Sequence, residues 1–552
     1  MTEQELKKIL QQPYSFEIWR DLLPKFFSNT EFFAHPEQVF ENEKGVVKGH
    51  QVGRIDLTDD RSLAVFDVEV DDSVMIARNR RALRDIAIRH IDQNITHGAL
   101  VFYHHPEQTD YRFTFMAKWG ALDMETGEFK QEETMPRRYT YLFGDSQAQT
   151  TPARQFLVLA ERAREGTLSL EDVREAFSVE ALNNEFYADY QQVSKSIIRY
   201  IHPNQVENKL NAHQGALMLL NRMMFVYFIQ KKLWLMDDPH FLFHFWKDYQ
   251  EHATKPDTFH EEWLNKVFFK AFNGKAYSDP VIFKELPEKY RRPILAFPYL
   301  NGGLFTRNNE FDNFLLPDEY FQSIFDFLEK YNFTIIEDSQ EEVSLEINPE
   351  LLGKMYEGMI NATDLDDVDA ENGIVYTERP EINFMTRRSM VEVLDKKTED
   401  DFTREFLYHF CFDTSDDKVV LLKRYDVDAN ILEEAVKSLT VLDPACGSGS
   451  MLIGMIELQT ELLKSLAEYR GHSLSSQDEF ALKKQIISES IYGVDVKEWA
   501  VRIAELRFWL YMISEAEFTP DELTKEPLLR NLDFKLLKRN ILVQEIRNLD
   551  FY

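Results

Sequence analysis

Hydrophobic and polar residues follow two different periods along the chain, and the change of period divides it into regions. In the first 150 residues, short aromatic-rich runs place apolar residues at alternate positions. This two-residue period is typical of β-strands. Residues 76–88 read as a basic helix between two of the runs, so we predict a mixed α/β domain over residues 1–150. The runs lie at residues 62–70, 98–103, 111–116 and 139–143.

The next region has the spacing of helices. Its clearest example is residues 215–230, which are apolar nearly all round and therefore predict a buried helix. An acidic stretch at residues 364–371 looks like a solvated linker. A second α/β pattern follows and continues to residue 552. We therefore predict an all-helical domain over residues 151–365 and an α/β domain over residues 366–552.

Composition limits the class of protein. The chain has 552 residues, of which 44% are hydrophobic, enough for several buried cores. We find no apolar run of the roughly 18 residues that a membrane helix needs, and no secretory signal at the start. The two cysteines, Cys411 and Cys446, have no spacing typical of a disulfide or zinc framework. These features predict a cytoplasmic protein without membrane partners.

The net charge bears on nucleic acid as a partner. A formal charge of −32 repels polyphosphate unless basic residues gather on one face. A local basic cleft, or a basic surface on a part outside these residues, would still allow DNA binding. Composition alone leaves this question open.

Residues 439–454 carry the most informative pattern, a short apolar strand followed by a glycine turn and a helix. Glycine permits a positive φ and lets the backbone approach a ligand closely. The helix beyond the turn presents free N–H groups. No Gly-Lys-Ser/Thr follows, so nothing is placed to hold a triphosphate. The pattern predicts the first βα unit of a Rossmann-like sheet, where cofactors bind at the carboxyl ends of strands.

Two acidic residues are expected at these strand ends. Asp443 ends the first strand and can accept hydrogen bonds from an ammonium group. Residues 491–496 read as the second strand, and Asp495 near its end is suited to binding ribose hydroxyls. The alternative is a strand-to-helix turn that binds nothing. The agreement between the glycine turn and Asp495 favours a cofactor site.

Residues 443–449 resemble motif I of the N6-adenine DNA methyltransferases, and Tyr492-Gly-Val-Asp495 resembles their motif II. The resemblance implies that S-adenosylmethionine is the cofactor and that Asp495 binds its ribose. The motif I residues implied to bind its methionine part are Asp443, Pro444, Ala445, Cys446, Gly447, Ser448 and Gly449.

Two further segments resemble motifs of the same family. Residues 373–380 are similar to motif X, which implies that Tyr376 and Thr377 pack over the cofactor. The order of motifs X, I and II is that of the γ class. Residues 532–535 and 540–542 resemble motif III, which implies a contact from Asn540 to the adenine ring of the cofactor, although the usual glycine and serine are replaced.

The helical region is similar to the spacer of type IIG restriction–modification proteins. Residues 220–232, 298–305 and 350–357 carry this similarity, and each is also explained by core and turn packing alone. The resemblance implies an α/β multidomain protein with an N-terminal nuclease-like domain. A helical spacer and a Rossmann-like S-adenosylmethionine-binding methyltransferase domain follow. The target is double-stranded DNA, and the implied role is restriction–modification or phage defence.

Members of this family transfer the methyl group with an Asn/Asp-Pro-Pro-Tyr/Phe segment after motif III. No such tetrapeptide occurs in the 552 residues. We therefore expect a truncated reading frame, an expressed fragment, or half of a split enzyme that a second polypeptide completes. The methyltransferase domain would then be incomplete, the DNA-recognition domain would lie outside these residues, and the chain alone would not methylate.

In type IIG proteins the N-terminal domain is often a nuclease in which two carboxylates hold Mg²⁺. The matching positions are Asp56, Asp67 and Glu69, with Asp56 and Asp67 as the metal ligands. Such nucleases also carry a lysine that orients the attacking water, and in this chain Glu69 occupies its position. The alternatives are an inactive nuclease relic, a DNA-sensing domain, or a β-hairpin with solvated acids.

Three functions therefore stay open from the sequence. The first is the cofactor-binding part of a site-specific DNA adenine-N6 methyltransferase. The second is a non-catalytic module that binds cofactor and a partner protein. The third is a Mg²⁺-dependent endonuclease in which cofactor binding acts as a gate.

Overall fold

The chain divides into two compact units, whose boundaries differ from those of the three predicted domains. Unit 1 comprises residues 1–190, 326–332 and 338–347, and unit 2 comprises residues 191–325, 333–337 and 348–552. The helical region is thus divided between the units. The computed structural model describes residues 1–43, 45–72, 97–117, 120–122, 129–131, 138–145, 147–272, 283–298, 303–310, 312–335, 342–351, 353, 377, 379–398, 401–514 and 535–538.

Unit 1 is built on a seven-stranded mixed sheet in the order β1-β2-β3-β4-β5-β8-β9, and β6 pairs with β7 separately. Strands β3 and β4 are parallel, as are β8 and β9, and the other neighbours are antiparallel. The strands are β1 Thr30–Glu43, β2 Val46–Asp56, β3 Ser62–Val70, β4 Gly98–His104, β5 Tyr111–Ala117, β6 Gly120–Leu122, β7 Phe129–Gln131, β8 Arg138–Phe143 and β9 Glu342–Ser344.

All four predicted strands are confirmed as β3, β4, β5 and β8. The prediction of an all-helical region is wrong at β9, which pairs with β8 from far along the chain. The predicted helix at residues 76–88 and the predicted linker at residues 364–371 lie outside the described residues.

The two faces of this sheet bury separate cores, as the alternation along β3 requires. Leu63 and Val65 belong to the core that also contains Trp19, whereas Ala64 and Phe66 belong to the core on the opposite face. Helices cover the first face. They are α1 Glu3–Leu10, α2 Phe16–Phe26, α3 Thr150–Glu165 and α4 Leu170–Ala176. The next helix along the chain is α5 Val179–Ile201.

Unit 2 begins with the part of the helical region that contains the buried helix. The predicted helix at residues 215–230 is confirmed, and it starts earlier because the Asn208 side chain accepts a hydrogen bond from Asn211 N–H. Its one arginine within the buried part, Arg222, forms a buried ion pair with Asp312 at 2.6 Å. The helices are α6 Lys209–Gln230, α7 Phe241–His252, α8 Glu288–Arg291 and α9 Asp318–Leu328, with π-helical turns at Phe259–Leu264 and Val267–Ala271 and 3-10 turns at Pro293–Ala296 and Gly303–Phe305.

The rest of unit 2 contains a parallel sheet in the order β10-β11-β12. Parallel strands joined by helices are the pattern of a Rossmann-like half-sheet. None of the helices among the described residues has the length and apolar character to span a membrane. The elements are α10 Arg379–Lys397, α11 Arg404–Phe412, α12 Ser415–Tyr425, α13 Ala429–Lys437, β10 Val441–Asp443, α14 Ser450–Tyr469, α15 Ser476–Glu489, β11 Ile491–Asp495, α16 Glu498–Ile513 and β12 Leu536–Lys538.

Candidate cofactor site at the ends of two parallel strands

The end of β10 and the start of α14 are joined by a tight glycine turn. β10 ends at Asp443, and α14 begins at Ser450 directly after Gly449. Gly447 and Gly449 have φ values of 52° and 81°, which residues other than glycine rarely adopt. A Cβ atom on Gly449 would also lie 3.0 Å from the Cβ atom of Ala504. Backbone conformation and close packing therefore both favour glycine at position 449.

Two carboxylates flank this turn, because Asp443 and Asp495 end the neighbouring parallel strands β10 and β11. The Oδ2 atom of Asp495 accepts a hydrogen bond from Gly447 N–H over 2.9 Å. Its Oδ1 atom accepts one from Lys497 N–H over 2.8 Å. The Oδ1 atom of Asp443 accepts one from Ala445 N–H over 3.1 Å. The carboxylate of Asp495, at the end of β11, therefore fixes the backbone of the glycine turn that follows β10.

The electrostatics of this pair suit a positively charged ligand. Burial raises the pKa of Asp443, and the negative charge of Asp495 raises it further. A carboxyl group with a raised pKa in the folded state lowers stability as the pH rises through that pKa, because the folded protein then holds an unfavourable charge. A bound cation would offset this cost. The start of α14 favours an anion instead, because the first backbone N–H groups of a helix have no carbonyl partner within it.

The two carboxylates and the helix start therefore fit S-adenosylmethionine, whose ammonium and sulfonium groups are positive and whose carboxylate is negative. Within the predicted loop, Pro444 and Ala445 are exposed, whereas Cys446 and Ser448 are buried. The N–H of Cys446 donates to the carbonyl oxygen of Val494 over 2.9 Å, which joins the loop to β11. Burial raises the pKa of the Cys446 thiol, so this side chain is a packing group and not a thiolate.

The other predicted cofactor residues are only partly described. Thr377 is half-buried and lies two residues before α10, whereas Tyr376 and Asn540 lie outside the described residues. Helix α10 begins within the segment that is similar to motif X. Its first residue, Arg379, pairs with Glu457 on α14 at 2.7 Å. Arg379 thus attaches the start of α10 to the helix that follows the glycine turn.

Two residues for which the sequence predicted no role at the cofactor site contact the turn. Arg507 on α16 donates hydrogen bonds to Ser448 and Ser450, and Gly353 lies directly against Ser448. Arg507 stands in the apolar run of α16, and a charged residue in such a run is the only local signal of a buried role. Nothing in the sequence around Gly353 indicates its contact with a residue so far along the chain.

In unit 1, the structure does not bring the predicted metal ligands together. The register places Asp56 opposite Ser62 and Asp67 opposite His50 on paired strands. Asp67 and Ser62 are five residues apart along β3, a distance of about 17 Å at 3.3 Å per residue. Asp56 and Asp67 therefore cannot ligate one Mg²⁺ ion, and the prediction of this pair was wrong.

The remaining nuclease candidates already have partners. Tyr14 donates a hydrogen bond to Asp67 over 2.7 Å, and the Nε2 atom of His104 lies 2.8 Å from the same Oδ1 atom. Burial opposes ionisation of Asp67, but these two partners outweigh it and lower its pKa. Glu69 pairs with Lys48 on β2 at 3.0 Å.

Among the described residues, the only three-residue group able to hold a metal is Asp248, Glu251 and His252 on α7.

We predict that Asp67 is a structural residue of unit 1. Asp67→Ala leaves the buried Tyr14 hydroxyl without its acceptor, and we expect a loss of about 2 kcal/mol in the free energy of unfolding. Asp56→Ala is the matched control, since its exposed ion pair with Arg54 is expected to contribute at most about 0.5 kcal/mol. Urea unfolding at neutral pH measures both. Equal stabilities of the two variants would contradict this role.

The domain around the glycine turn matches a known family. Residues 423–530 match the family described as the MmeI DNA-methyltransferase domain. This segment includes β10, the turn, α14, α15, β11 and α16.

Two curated relatives extend over more of the chain. A protein of Methanocaldococcus jannaschii, provisionally named a type II restriction enzyme and methyltransferase, is 28% identical over 349 residues, which is 62% of this chain and 28% of that protein. DNA methyltransferase A of Bacillus subtilis is 25% identical over 243 residues, which is 43% of this chain and 22% of that protein. The chain therefore spans less than a third of either relative.

Two solved structures share weaker likeness. The type IIL restriction–modification enzyme MmeI in complex with DNA is 16% identical with a TM-score of 0.36, covering 61% of this chain and 36% of that one. The DrdV–DNA complex is 12% identical with a TM-score of 0.24, covering 91% and 36%. The sequence matches, and not these superpositions, support a relationship between this chain and the DNA methyltransferases of restriction–modification systems.

Proposed function

We propose that the chain binds S-adenosylmethionine at the glycine turn and forms the cofactor-binding part of a site-specific DNA adenine-N6 methyltransferase. The observation that carries this proposal is the pair of half-buried carboxylates, Asp443 and Asp495, on either side of a turn with two left-handed glycines. The match of residues 423–530 to a DNA-methyltransferase domain supports the same conclusion. The wider setting is restriction–modification of the type IIG kind, and hence phage defence.

Each residue of the site has a distinct task in this proposal. Asp443 accepts hydrogen bonds from the ammonium group of the cofactor, and Asp495 accepts them from its ribose hydroxyls. Gly447 and Gly449 let the backbone approach the methionine part. The cofactor supplies a methyl group on a positively charged sulfur. Tyr376 and Thr377 cover the cofactor, and Asn540 contacts its adenine ring, as the resemblance to motifs X and III implies.

The adenine specificity of the proposal rests on the motif resemblance. Residues 1–552 contain no Asn-Pro-Pro-Tyr or related segment to hold the target base. We propose that such a segment, in the same or a second polypeptide, completes the site and that a recognition domain outside these residues reads double-stranded DNA. A non-catalytic cofactor- and partner-binding module is the second candidate, and the same absent tetrapeptide favours it.

The proposal is tested by titration calorimetry of the chain with S-adenosylmethionine and with its demethylated product. We expect one site for each, with ATP giving no heat because the turn lacks a phosphate-binding lysine. Asp443→Asn should bind more weakly. The raised pKa of Asp443 also predicts that wild-type affinity falls on acidification at a higher pH than an ordinary aspartate would allow, and that this fall is lost in Asp443→Asn. A wild-type protein without heat at millimolar cofactor would exclude the proposal.

A further inference from the structure

The inner side of the glycine turn is held by a buried arginine. The side chain of Arg507, on α16, is completely buried. Its Nη1 atom donates to the carbonyl oxygen of Ser448 over 3.0 Å and to the Oγ atom of the same residue over 3.2 Å. It also lies 2.8 Å from the Oγ atom of Ser450, the first residue of α14. One guanidinium therefore bonds both the turn and the helix that starts from it.

A glycine packs against the same serine. A Cβ atom on Gly353 would lie 2.6 Å from the Oγ atom and 2.9 Å from the Cβ atom of Ser448, and 3.1 Å from Nη1 of Arg507. The first two distances are shorter than real Cβ contacts. Any side chain at position 353 must therefore displace Ser448 or Arg507. Gly353 is distant in sequence from both, so this contact belongs to the tertiary structure.

The two sides of the turn are thus fixed independently. Asp495 accepts from Gly447 N–H at the strand ends, and Arg507 donates to Ser448 on the buried side. A loop held in its binding conformation loses less conformational entropy when a ligand binds. The planar guanidinium is suited to this task because its donors have a fixed geometry, whereas a lysine ammonium is a single flexible point charge.

We propose that Arg507 and Gly353 are positioning residues for the cofactor turn, and that they hold Ser448 so that the backbone of residues 447–449 is ready to receive the cofactor. Neither residue touches the cofactor in this proposal. It rests on the proposed function for the identity of the ligand. The conformation of the free turn can be measured without any ligand.

The test compares Arg507→Lys and Gly353→Ala with the wild-type chain. The matched control is Arg502→Lys on the same helix, because Arg502 pairs with Glu505 at 2.9 Å. Amide hydrogen exchange of the free chain is followed in peptides covering residues 444–452 and, as an internal reference, residues 209–230 of α6. Calorimetry with S-adenosylmethionine gives the dissociation constant of each variant.

We expect both variants to weaken cofactor binding by about tenfold or more, the scale of one lost charge-assisted hydrogen bond. Exchange in residues 444–452 should become faster while exchange in α6 stays at its wild-type rate. The control should bind within about twofold of wild type, because lysine keeps the positive charge that pairs with Glu505.

Four outcomes are possible besides the expected one. Wild-type exchange and affinity in both variants would overturn the proposal. Equally faster exchange in the turn and in α6 would also overturn it, because Arg507 would then be a general stability residue. If Arg507→Lys does not fold, Gly353→Ala and Ser448→Ala decide by the same two readouts. If wild type binds no cofactor, the proposed function fails, and the exchange data on the free chain still decide the positioning role.

Discussion

Replacing Asp495 with alanine is expected to reduce the affinity for S-adenosylmethionine by about a hundredfold or more, the combined scale of two or more hydrogen bonds to a charged group. The carboxylate has two tasks in our account. It accepts the N–H of Gly447, which fixes the turn, and its remaining lone pairs accept the ribose hydroxyls. Alanine removes both at once, so the loss should exceed that of Asp443→Asn.

Calorimetric titration of Asp495→Ala measures this effect. Glu489→Ala is a matched control, because Glu489 is an exposed carboxylate at the end of α15, and it accepts a hydrogen bond from the side chain of Gln485. It changes the net charge equally and should leave the affinity within about twofold. If both variants bind alike, the effect is one of overall charge and the assigned role of Asp495 is wrong.

The second large effect concerns methyl transfer. We expect the 552-residue chain to transfer no detectable methyl from labelled S-adenosylmethionine to adenine in DNA, a rate at least about 10⁴-fold below that of a complete enzyme. The amino lone pair of adenine is delocalised into the ring, so catalysis needs acceptors for its hydrogens and an aromatic ring stacked on the flipped base. No Asn-Pro-Pro-Tyr/Phe segment that would supply them occurs in residues 1–552.

Activity should appear when a fragment carrying Asn-Pro-Pro-Tyr or Asn-Pro-Pro-Phe is joined to the chain or added to it. The same fragment added to the Asp495→Ala chain should give no activity, which shows that the chain supplies the cofactor. A monomeric 552-residue chain that methylates adenine would contradict the account. A complemented chain that binds cofactor but never methylates would favour the non-catalytic module.

Local patterns predicted strands of unit 1 and the elements that form the cofactor site in unit 2. The alternation in β3, β4, β5 and β8 and the strand–turn–helix pattern at residues 439–454 are short-range features, so they can be read directly from the sequence. The positive φ of Gly447 and Gly449 agrees with the role expected for the two glycines. The start of α6 at Lys209 is set by the cap residue Asn208, which lies outside the apolar run that predicted the helix.

Non-local pairings could not be predicted in this way. Strand β9 has three residues and joins the sheet from nearly 200 positions beyond its partner β8, so no pattern in its own sequence signals it. Asp56 ends β2 opposite Ser62, whereas Asp67 lies within β3 opposite His50, so the pairing of the two strands keeps the carboxylates apart. The contact of Arg507 on α16 with Ser448 in the turn is also non-local, so no short-range pattern predicts it.

The most direct measurement is a crystal structure of the chain with bound S-adenosylhomocysteine. Our account predicts the ligand at the carboxyl ends of β10 and β11. Its amino group should lie within hydrogen-bond distance of Asp443, its ribose hydroxyls within hydrogen-bond distance of Asp495, and its homocysteine part against residues 447–449. A ligand bound elsewhere, or one whose ribose contacts neither carboxylate, would contradict the central claim.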